Sequence, residues 1–170
     1  MAPTAPGEQA STLLTSFDLH LFNEGKHNRL FEKFGAHLTE LDGKQGAYFA
    51  VWAPDAERIS VVGDFNGWSA DSHPMTPRGS SGVWEAFLPG LGKGTVYKYH
   101  IRSRYHMYEV DKADPYAFYN EIPPRTASIV WDLDYEWNDG EWMRTRHEHN
   151  KFDAPISIYE LHLEIGRAYV

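Results

Sequence analysis

The chain has 170 residues, a formal net charge of −8 and 42% hydrophobic residues, which suffices for one ordinary domain with extensions. The acidic balance argues against nucleic acid or an anionic membrane as the main partner, and no apolar run approaches the roughly 20 residues of a membrane span. The absence of cysteine excludes a disulfide framework and zinc–thiolate sites, and we expect a cytoplasmic protein. Aromatic residues form 15% of the chain, which fits a β-rich core, a carbohydrate-binding face or a protein interface.

The N-terminal region predicts a disordered leader followed by short helices. Residues 1–13 are small and Pro-rich, and they lack the basic-then-apolar pattern of a secretion signal. In residues 14–40 the apolar spacing is helical but is broken by Asn23-Glu24-Gly25. We therefore predict two short helical turns that end at Gly35.

From Ala47 the apolar pattern changes to a period of two, which indicates β-strands. Tyr48, Ala50 and Trp52 fall on one face of the first strand. Further strands are predicted over 58–63, 83–88, 95–102, 105–110 and 127–132, with 105–110 as the hairpin partner of 95–102. Short strands separated by Gly and Pro turns favour an antiparallel β-sandwich over residues 41–135. The aromatic side chains expected in its core are Trp52, Tyr97, Tyr99 and Trp131.

After Tyr135 the pattern predicts a helix and linker over 136–155, with the helix at 139–146 and Asp139 as its cap. The apolar alternation of 156–163 then predicts one more strand near the end of the chain. A single strand cannot bury itself. We therefore expect 156–163 to promote self-association when it has no partner strand.

The segment Val61-Val62-Gly63-Asp64-Phe65-Asn66-Gly67-Trp68 is the clearest candidate for a binding site. Asn66-Gly67 is a strong turn signal, because both residues tolerate a positive φ. Trp68 is then either tucked under the turn or exposed as a flat platform for a sugar ring, with polar groups at its edge.

Three further residues complete the sugar-binding hypothesis. Asn66 supplies a polar group in the same loop, and Lys98 points away from the Tyr97 and Tyr99 face of its strand. Trp84 is a candidate second platform, although a position in the core is the alternative.

The sequence offers no catalytic or metal site. Carboxylates such as Asp64 and Asp114 occur beside Gly or Pro, where such side chains cap backbone groups, and no paired arrangement for glycoside cleavage is evident. In His147-Glu148-His149 the two imidazoles are two residues apart, so on a helix they diverge by roughly 200°. We expect no cofactor and no bound metal.

Eight motifs stand out along the chain: Phe17-Asp18-Leu19-His20-Leu21-Phe22-Asn23-Glu24-Gly25, Glu32-Lys33-Phe34-Gly35-Ala36-His37, Phe49-Ala50-Val51-Trp52-Ala53-Pro54, Val62-Gly63-Asp64-Phe65-Asn66-Gly67-Trp68, Tyr97-Lys98-Tyr99, Lys112-Ala113-Asp114-Pro115-Tyr116-Ala117, Pro123-Pro124-Arg125-Thr126-Ala127-Ser128 and Ile156-Ser157-Ile158-Tyr159-Glu160-Leu161-His162. Together these motifs resemble the N-terminal region of bacterial 1,4-α-glucan (glycogen) branching enzymes over about residues 14–163. The Trp-Ala-Pro and Gly-Asp-Phe-Asn-Gly-Trp patterns are shared more widely with isoamylase-like debranching enzymes, whereas the first two motifs point more narrowly to branching enzymes.

The resemblance implies an immunoglobulin-like β-sandwich of the family 48 carbohydrate-binding module type, in which Trp68 and Lys98 match glucan-contacting positions. It also implies that 156–163 is the first strand of a (β/α)8 catalytic barrel of the α-amylase superfamily. The barrel's catalytic carboxylates are missing here, so the chain alone should be inactive. Residues 164–170 depart from the family, and we expect them to be a non-native tail.

The implied function is the non-catalytic α-glucan-binding or scaffolding part of a branching enzyme of glycogen biosynthesis. The parent would cleave α-1,4 linkages and form α-1,6 branches by glycosyl transfer. The implied partners are α-1,4-glucan and the missing barrel. Two alternatives remain open: the N-terminal module of a debranching or trehalose-forming hydrolase, and a pure packing domain without a ligand.

Overall fold

The computed structural model describes residues 12–106, 108–149 and 151–160. The chain divides into two compact units, Met1–Leu133 and Asp134–Val170. The first unit contains two antiparallel sheets that enclose one apolar core, so the predicted β-sandwich is confirmed. None of the helices in the described ranges is long and apolar enough to span a bilayer.

In the part of the chain that the structure describes, nine strands build the two sheets. Sheet A has the order β1-β2-β5-β4, and sheet B has the order β3-β6-β9-β8 with β7 also paired to β6. The strands are β1 (Gly35–Leu41), β2 (Lys44–Trp52), β3 (Ala56–Gly63), β4 (Thr76–Pro77), β5 (Val83–Pro89), β6 (Val96–Ser103), β7 (Glu109–Lys112), β8 (Tyr119–Asn120) and β9 (Ser128–Ile129).

The core lies between the sheets and is centred on aromatic side chains. Tyr97 and Tyr99 are fully buried, as predicted, and the Phe49 ring meets Tyr97 edge-on at 5.0 Å. The prediction that Trp52 is a core residue is wrong, since 55% of its surface is exposed. Trp52 ends β2 on the face that points away from the core, at the rim of a separate cluster. Trp131 is only half-buried, because it follows β9 and packs against the exposed Tyr119.

An N-terminal layer covers the outer face of sheet A. It consists of α1 (Ser16–Asn23) and a 3₁₀ turn (Leu30–Glu32), which agrees with two short helical turns. Its apolar side chains pack on the outward residues of β2 and β5, so both faces of β2 are buried. The helical segment does not reach residue 40, however. Gly35 adopts a φ of +95° and opens β1, so the sandwich begins at 35 and not at 41.

Two further boundaries differ from the predictions. The predicted hairpin partner of β6 is present but starts later than residue 105. It is β7, whose Glu109 pairs with Arg102, because the intervening turn uses the residues around Tyr105. In the second unit, α2 (Gly140–His149) extends beyond residue 146 and takes in His147–His149, which were predicted as linker.

The ends of the chain leave part of the sequence hypothesis open. Residues 156–160 have no regular secondary structure, and Ile156, Ile158 and Tyr159 are exposed. The remainder of the predicted strand, 161–163, and the tail 164–170 lie outside the described residues, as does 1–11 of the predicted leader.

Candidate functional site

The loop after β3 is built by two glycines that fix its path. A Cβ on Gly63 would collide with the Val96 carbonyl oxygen and the Phe65 ring, so only glycine allows β3 to end so close to β6. A 3₁₀ turn (Asp64–Asn66) follows, and Gly67 then adopts a left-handed φ of +62°. The Asn-Gly turn predicted from the sequence is therefore present, and Trp68 follows it directly.

Trp68 itself is held in an unusual conformation with part of its ring exposed. Its φ is +60°, a region that costs a bulky residue on the order of 1–3 kcal/mol. Two hydrogen bonds stabilise this conformation: the Trp68 backbone N–H donates to the Gly63 carbonyl at 2.9 Å, and indole Nε1 donates to Asp64 Oδ1 at 2.8 Å. The side chain keeps 39% of its surface exposed. The indole N–H thus locks the loop while the ring remains available to solvent.

Asn66 has its side-chain amide engaged within the loop. Its Oδ1 accepts from the Gly63 N–H at 3.0 Å, and its Nδ2 donates to the Val61 carbonyl at 3.0 Å and lies 3.0 Å from His73 Nδ1. These bonds use the groups that a sugar hydroxyl would need. Asn66 consequently shapes the loop that presents Trp68 and acts as a positioning residue.

Lys98 lies near the same end of sheet B as the Trp68 loop. It pairs with Val62 across the β3–β6 ladder, and Gly63, which anchors Trp68, pairs with the next residue, Tyr97. The Lys98 side chain leaves the sheet on the face opposite to the core tyrosines, as expected from strand alternation. Its Nζ donates to Thr126 Oγ1 at 2.8 Å, a contact that the sequence pattern did not reveal.

The structure removes Trp84 as a second platform. Only 7% of its surface is exposed, it belongs to the core between the sheets, and indole Nε1 donates to the Ala53 carbonyl at 3.1 Å. Trp84 on β5 pairs with Val51 on β2, so both point inward. A buried indole offers no face to a sugar, and the core alternative for Trp84 is the correct one.

Two buried carboxylates serve the fold. Burial raises the pKa of Asp114 despite the hydroxyls of Tyr97 and Tyr99, which donate to Oδ2 at 2.6 and 2.9 Å. Its Oδ1 accepts from the Tyr116 N–H at 2.8 Å, which is the backbone capping predicted for this aspartate. Burial, and then the nearby Asp114 carboxyl, raises the pKa of both tyrosines far above its usual range.

The second buried carboxylate, Glu85, receives hydrogen bonds from the Tyr48 and Thr12 hydroxyls and from Arg78. In the described ranges, no group of three or more His, Asp or Glu side chains is arranged to hold a metal ion.

Comparison with known proteins shows which family this chain belongs to and which proteins it is similar to. The family "Carbohydrate-binding module 48 (Isoamylase N-terminal domain)" matches residues 33–117, which include both Trp68 and Lys98. The 1,4-alpha-glucan branching enzyme GlgB of Thermosynechococcus vestitus is 54% identical over 155 residues, covering 90% of this chain and 20% of the relative. The GlgB of Aquifex aeolicus is 50% identical over 153 residues, which cover 89% of this chain and 24% of the relative.

Solved structures agree on the fold. The crystal structure of PulA from Klebsiella oxytoca aligns with a TM-score of 0.50 at 30% identity, over 61% of this chain and 10% of that chain. The apo pullulanase of Klebsiella pneumoniae aligns with the same score and identity. The present chain spans about a fifth of the length of the branching-enzyme relatives that it matches.

Proposed function

Because the chain belongs to the carbohydrate-binding module 48 family and is homologous to the N-terminal region of 1,4-α-glucan branching enzymes, we propose that it binds α-1,4-glucan at Trp68 and Lys98. It does so as the non-catalytic part of a longer branching enzyme of glycogen biosynthesis, whose catalytic barrel would cleave α-1,4 linkages and form α-1,6 branches. The hydrolase alternative has weaker support, since identity is 30% to pullulanase but 54% to a branching enzyme.

The observation that carries this proposal is the exposed ring of Trp68 in a strained, doubly hydrogen-bonded loop. A glucose ring has an apolar C–H face that stacks on an indole, and it carries hydroxyls at its edge. The Lys98 ammonium has three donors and uses one on Thr126, which leaves donors for sugar hydroxyls. Asn66 and Asp64 hold the loop so that the indole is ordered before the ligand arrives.

Calorimetric titration of the intact chain with maltoheptaose tests the proposal. We expect saturable binding that Trp68→Ala weakens at least about tenfold, because a stacked aromatic anchor dominates a small binding site. Trp137→Ala is the matched control, since this indole is 74% exposed in the other unit. Thermal unfolding verifies that each variant is folded. Unchanged affinity of Trp68→Ala, or no binding by the folded wild type, would contradict the proposal.

A second role, as a scaffold for the barrel, is favoured by the exposed apolar side chains of the second unit. Trp137, Trp142, Ile156 and Tyr159 all expose at least half of their surface. Large exposed apolar side chains of this number in one short segment support an interaction role for it. The proposed occupant is the remaining four-fifths of a branching enzyme, because the relatives continue far beyond the length of this chain.

Mixing experiments test the scaffold role. The rest of the Thermosynechococcus vestitus relative, expressed separately, should co-elute with this chain in size-exclusion chromatography. A Trp137→Ala/Trp142→Ala variant should lose that complex, whereas Trp68→Ala should keep it. Separate elution of the wild-type mixture, with both parts folded, would argue against a docking role.

A further inference from the structure

A groove lies on the outer face of sheet B, beyond the residues considered so far. It has a volume of about 460 Å³ and opens to solvent. Most of its lining follows residue 117, where the match to the carbohydrate-binding module family ends. The side chains that matter for its chemistry are Val96, Tyr119, Glu121, Ile122, Arg125 and Ile129.

The groove contains an aromatic platform with a rigid support. Tyr119 is 46% exposed and lines the groove, while its ring packs against Trp131 with the centroids 4.8 Å apart. Trp131 is fixed in turn by Lys93, whose Nζ lies 4.3 Å from the indole centroid and donates to Asp132 at 2.9 Å. Tyr119 is therefore an ordered ring with solvent access, which a stacking ligand requires.

Polar and apolar groups stand next to this ring in the arrangement that a sugar needs. The Arg125 side chain is 78% exposed, and among the described residues its guanidinium contacts Glu121 alone, at 3.5 Å, so most of its five N–H donors face solvent. Ile122, which is 79% exposed, adds an apolar surface at the rim. The Glu121 carboxylate is mostly buried and holds the Ala127 N–H at 3.2 Å, which fixes the loop that carries Arg125.

The groove lies beside the Lys98 end of the proposed glucan site, as strand register and chain order show. Val96, in the groove lining, and Lys98 are two residues apart on the same face of β6, and Thr126, which accepts from Lys98, directly follows Arg125. Tyr119 pairs with Ile129 on β9, which pairs with Val96 on β6. Two strand spacings of about 5 Å thus separate Tyr119 from β6, a span that a short oligosaccharide bridges.

From this adjacency and the ordered Tyr119 ring we propose that the groove is a second sugar-binding subsite, with Tyr119 as its platform and Arg125 as its hydroxyl donor. It takes further glucose units of the same α-1,4-glucan chain that stacks on Trp68, and it rests on the proposed function of that site. Chains long enough to reach both platforms bind more tightly than short ones. The groove thus sets the length of glucan chain that this module prefers.

Titrations with maltotriose and maltoheptaose test the subsite on the intact chain. The wild type should favour maltoheptaose, and Tyr119→Ala should weaken maltoheptaose binding roughly 2- to 10-fold while leaving maltotriose binding nearly unchanged. Tyr119→Phe should keep the preference, because the ring is retained. Phe31→Ala is the matched control, since Phe31 is 49% exposed on the N-terminal layer. Arg125→Ala provides a second variant whose exposed side chain is dispensable for folding.

Each outcome separates the subsite from the Trp68 site. The subsite is supported if Tyr119→Ala or Arg125→Ala loses the preference for maltoheptaose while Trp68→Ala binds both maltotriose and maltoheptaose weakly. Wild-type chain-length preference in both groove variants, with binding still dependent on Trp68, overturns the subsite and leaves the proposed function intact. No binding of either sugar by the folded wild type overturns both.

Discussion

The ion pair between Arg78 and Glu85 provides a sharp test of what holds the N-terminal layer on the sandwich. Glu85 is 5% exposed, and its Oε1 accepts from Arg78 Nη1 at 2.7 Å. Arg78 Nη2 also donates to the Leu14 carbonyl at 3.1 Å, and the Thr12 hydroxyl donates to Glu85 Oε2 at 2.6 Å. One buried carboxylate therefore ties residues 12–14 to sheet A.

The replacement Arg78→Met should be strongly destabilising, because it leaves the Glu85 carboxylate buried without its cation. Removing one partner of a buried pair typically costs about 3–5 kcal/mol. The hydroxyls of Thr12 and Tyr48 still donate to Glu85, so we expect the lower end, about 3 kcal/mol. At about 2–4 °C per kcal/mol for a chain of this size, the melting temperature should fall by roughly 6–12 °C.

Urea unfolding, monitored by near-ultraviolet circular dichroism, measures this loss of stability and compares it with the loss at a matched surface ion pair. Arg58 lies 3.1 Å from Asp71, but their side chains are 43% and 90% exposed, so Arg58→Met should cost at most about 1 kcal/mol. The double variant Arg78→Met/Glu85→Leu should recover part of the lost stability, since no buried charge remains. If Arg78→Met is no more destabilising than Arg58→Met, the reasoning is refuted.

Three other predictions concern pH, the loop and the chain end. Burial lowers the pKa of His37, so the unfolded chain binds a proton that the folded chain does not. The free energy of unfolding should therefore decrease as the pH is lowered below 6.5. In urea titrations at several pH values, His37→Gln should lack this part of the pH dependence. Asp64→Ala removes the acceptor of the Trp68 indole and should weaken maltoheptaose binding roughly fivefold at nearly unchanged melting temperature; equal affinity would show that Asp64 does not order the ring. Truncation after Ala154 should reduce self-association in size-exclusion chromatography, whereas a monomer in both forms would contradict that hypothesis.

The sequence predicted the sandwich and the Trp68 loop because these rest on local signals. Alternation along β6 placed Tyr97 and Tyr99 in the core and Lys98 on the opposite face, and the Asn66-Gly67 dipeptide located the turn. These features depend on residues that are neighbours in the chain, so periodicity and turn chemistry suffice to find them.

The errors arise where a third layer or a distant strand decides the environment. Trp52 and Trp84 lie on neighbouring strands with similar local patterns, yet one is exposed and the other buried. The N-terminal layer buries the outward face of β2 only up to its rim, and no local pattern reports where that rim falls. Gly35 shows the same limit, since a positive φ suits both a helix end and the start of a strand.

The contacts that complete the site were also invisible in the sequence. Thr126 reaches Lys98 from 28 positions away, and the Tyr119–Trp131 stack forms only because β8 and β9 pair. The sequence signal for this groove was a short Pro-Pro-Arg-Thr stretch four residues after a tyrosine, Tyr119. Such long-range pairs follow from sheet topology, which the sequence pattern alone leaves open.

The most direct test of glucan binding at Trp68 is a nuclear magnetic resonance titration of the six tryptophan indole N–H signals with maltoheptaose. The indole N–H of Trp68 is hydrogen-bonded to Asp64 at the edge of the proposed platform, so its resonance should shift with the ligand. The signals of the buried Trp84 and of Trp137, which belongs to the second unit, should stay in place. A shift confined to Trp137 or Trp142, with Trp68 unmoved, would contradict the account.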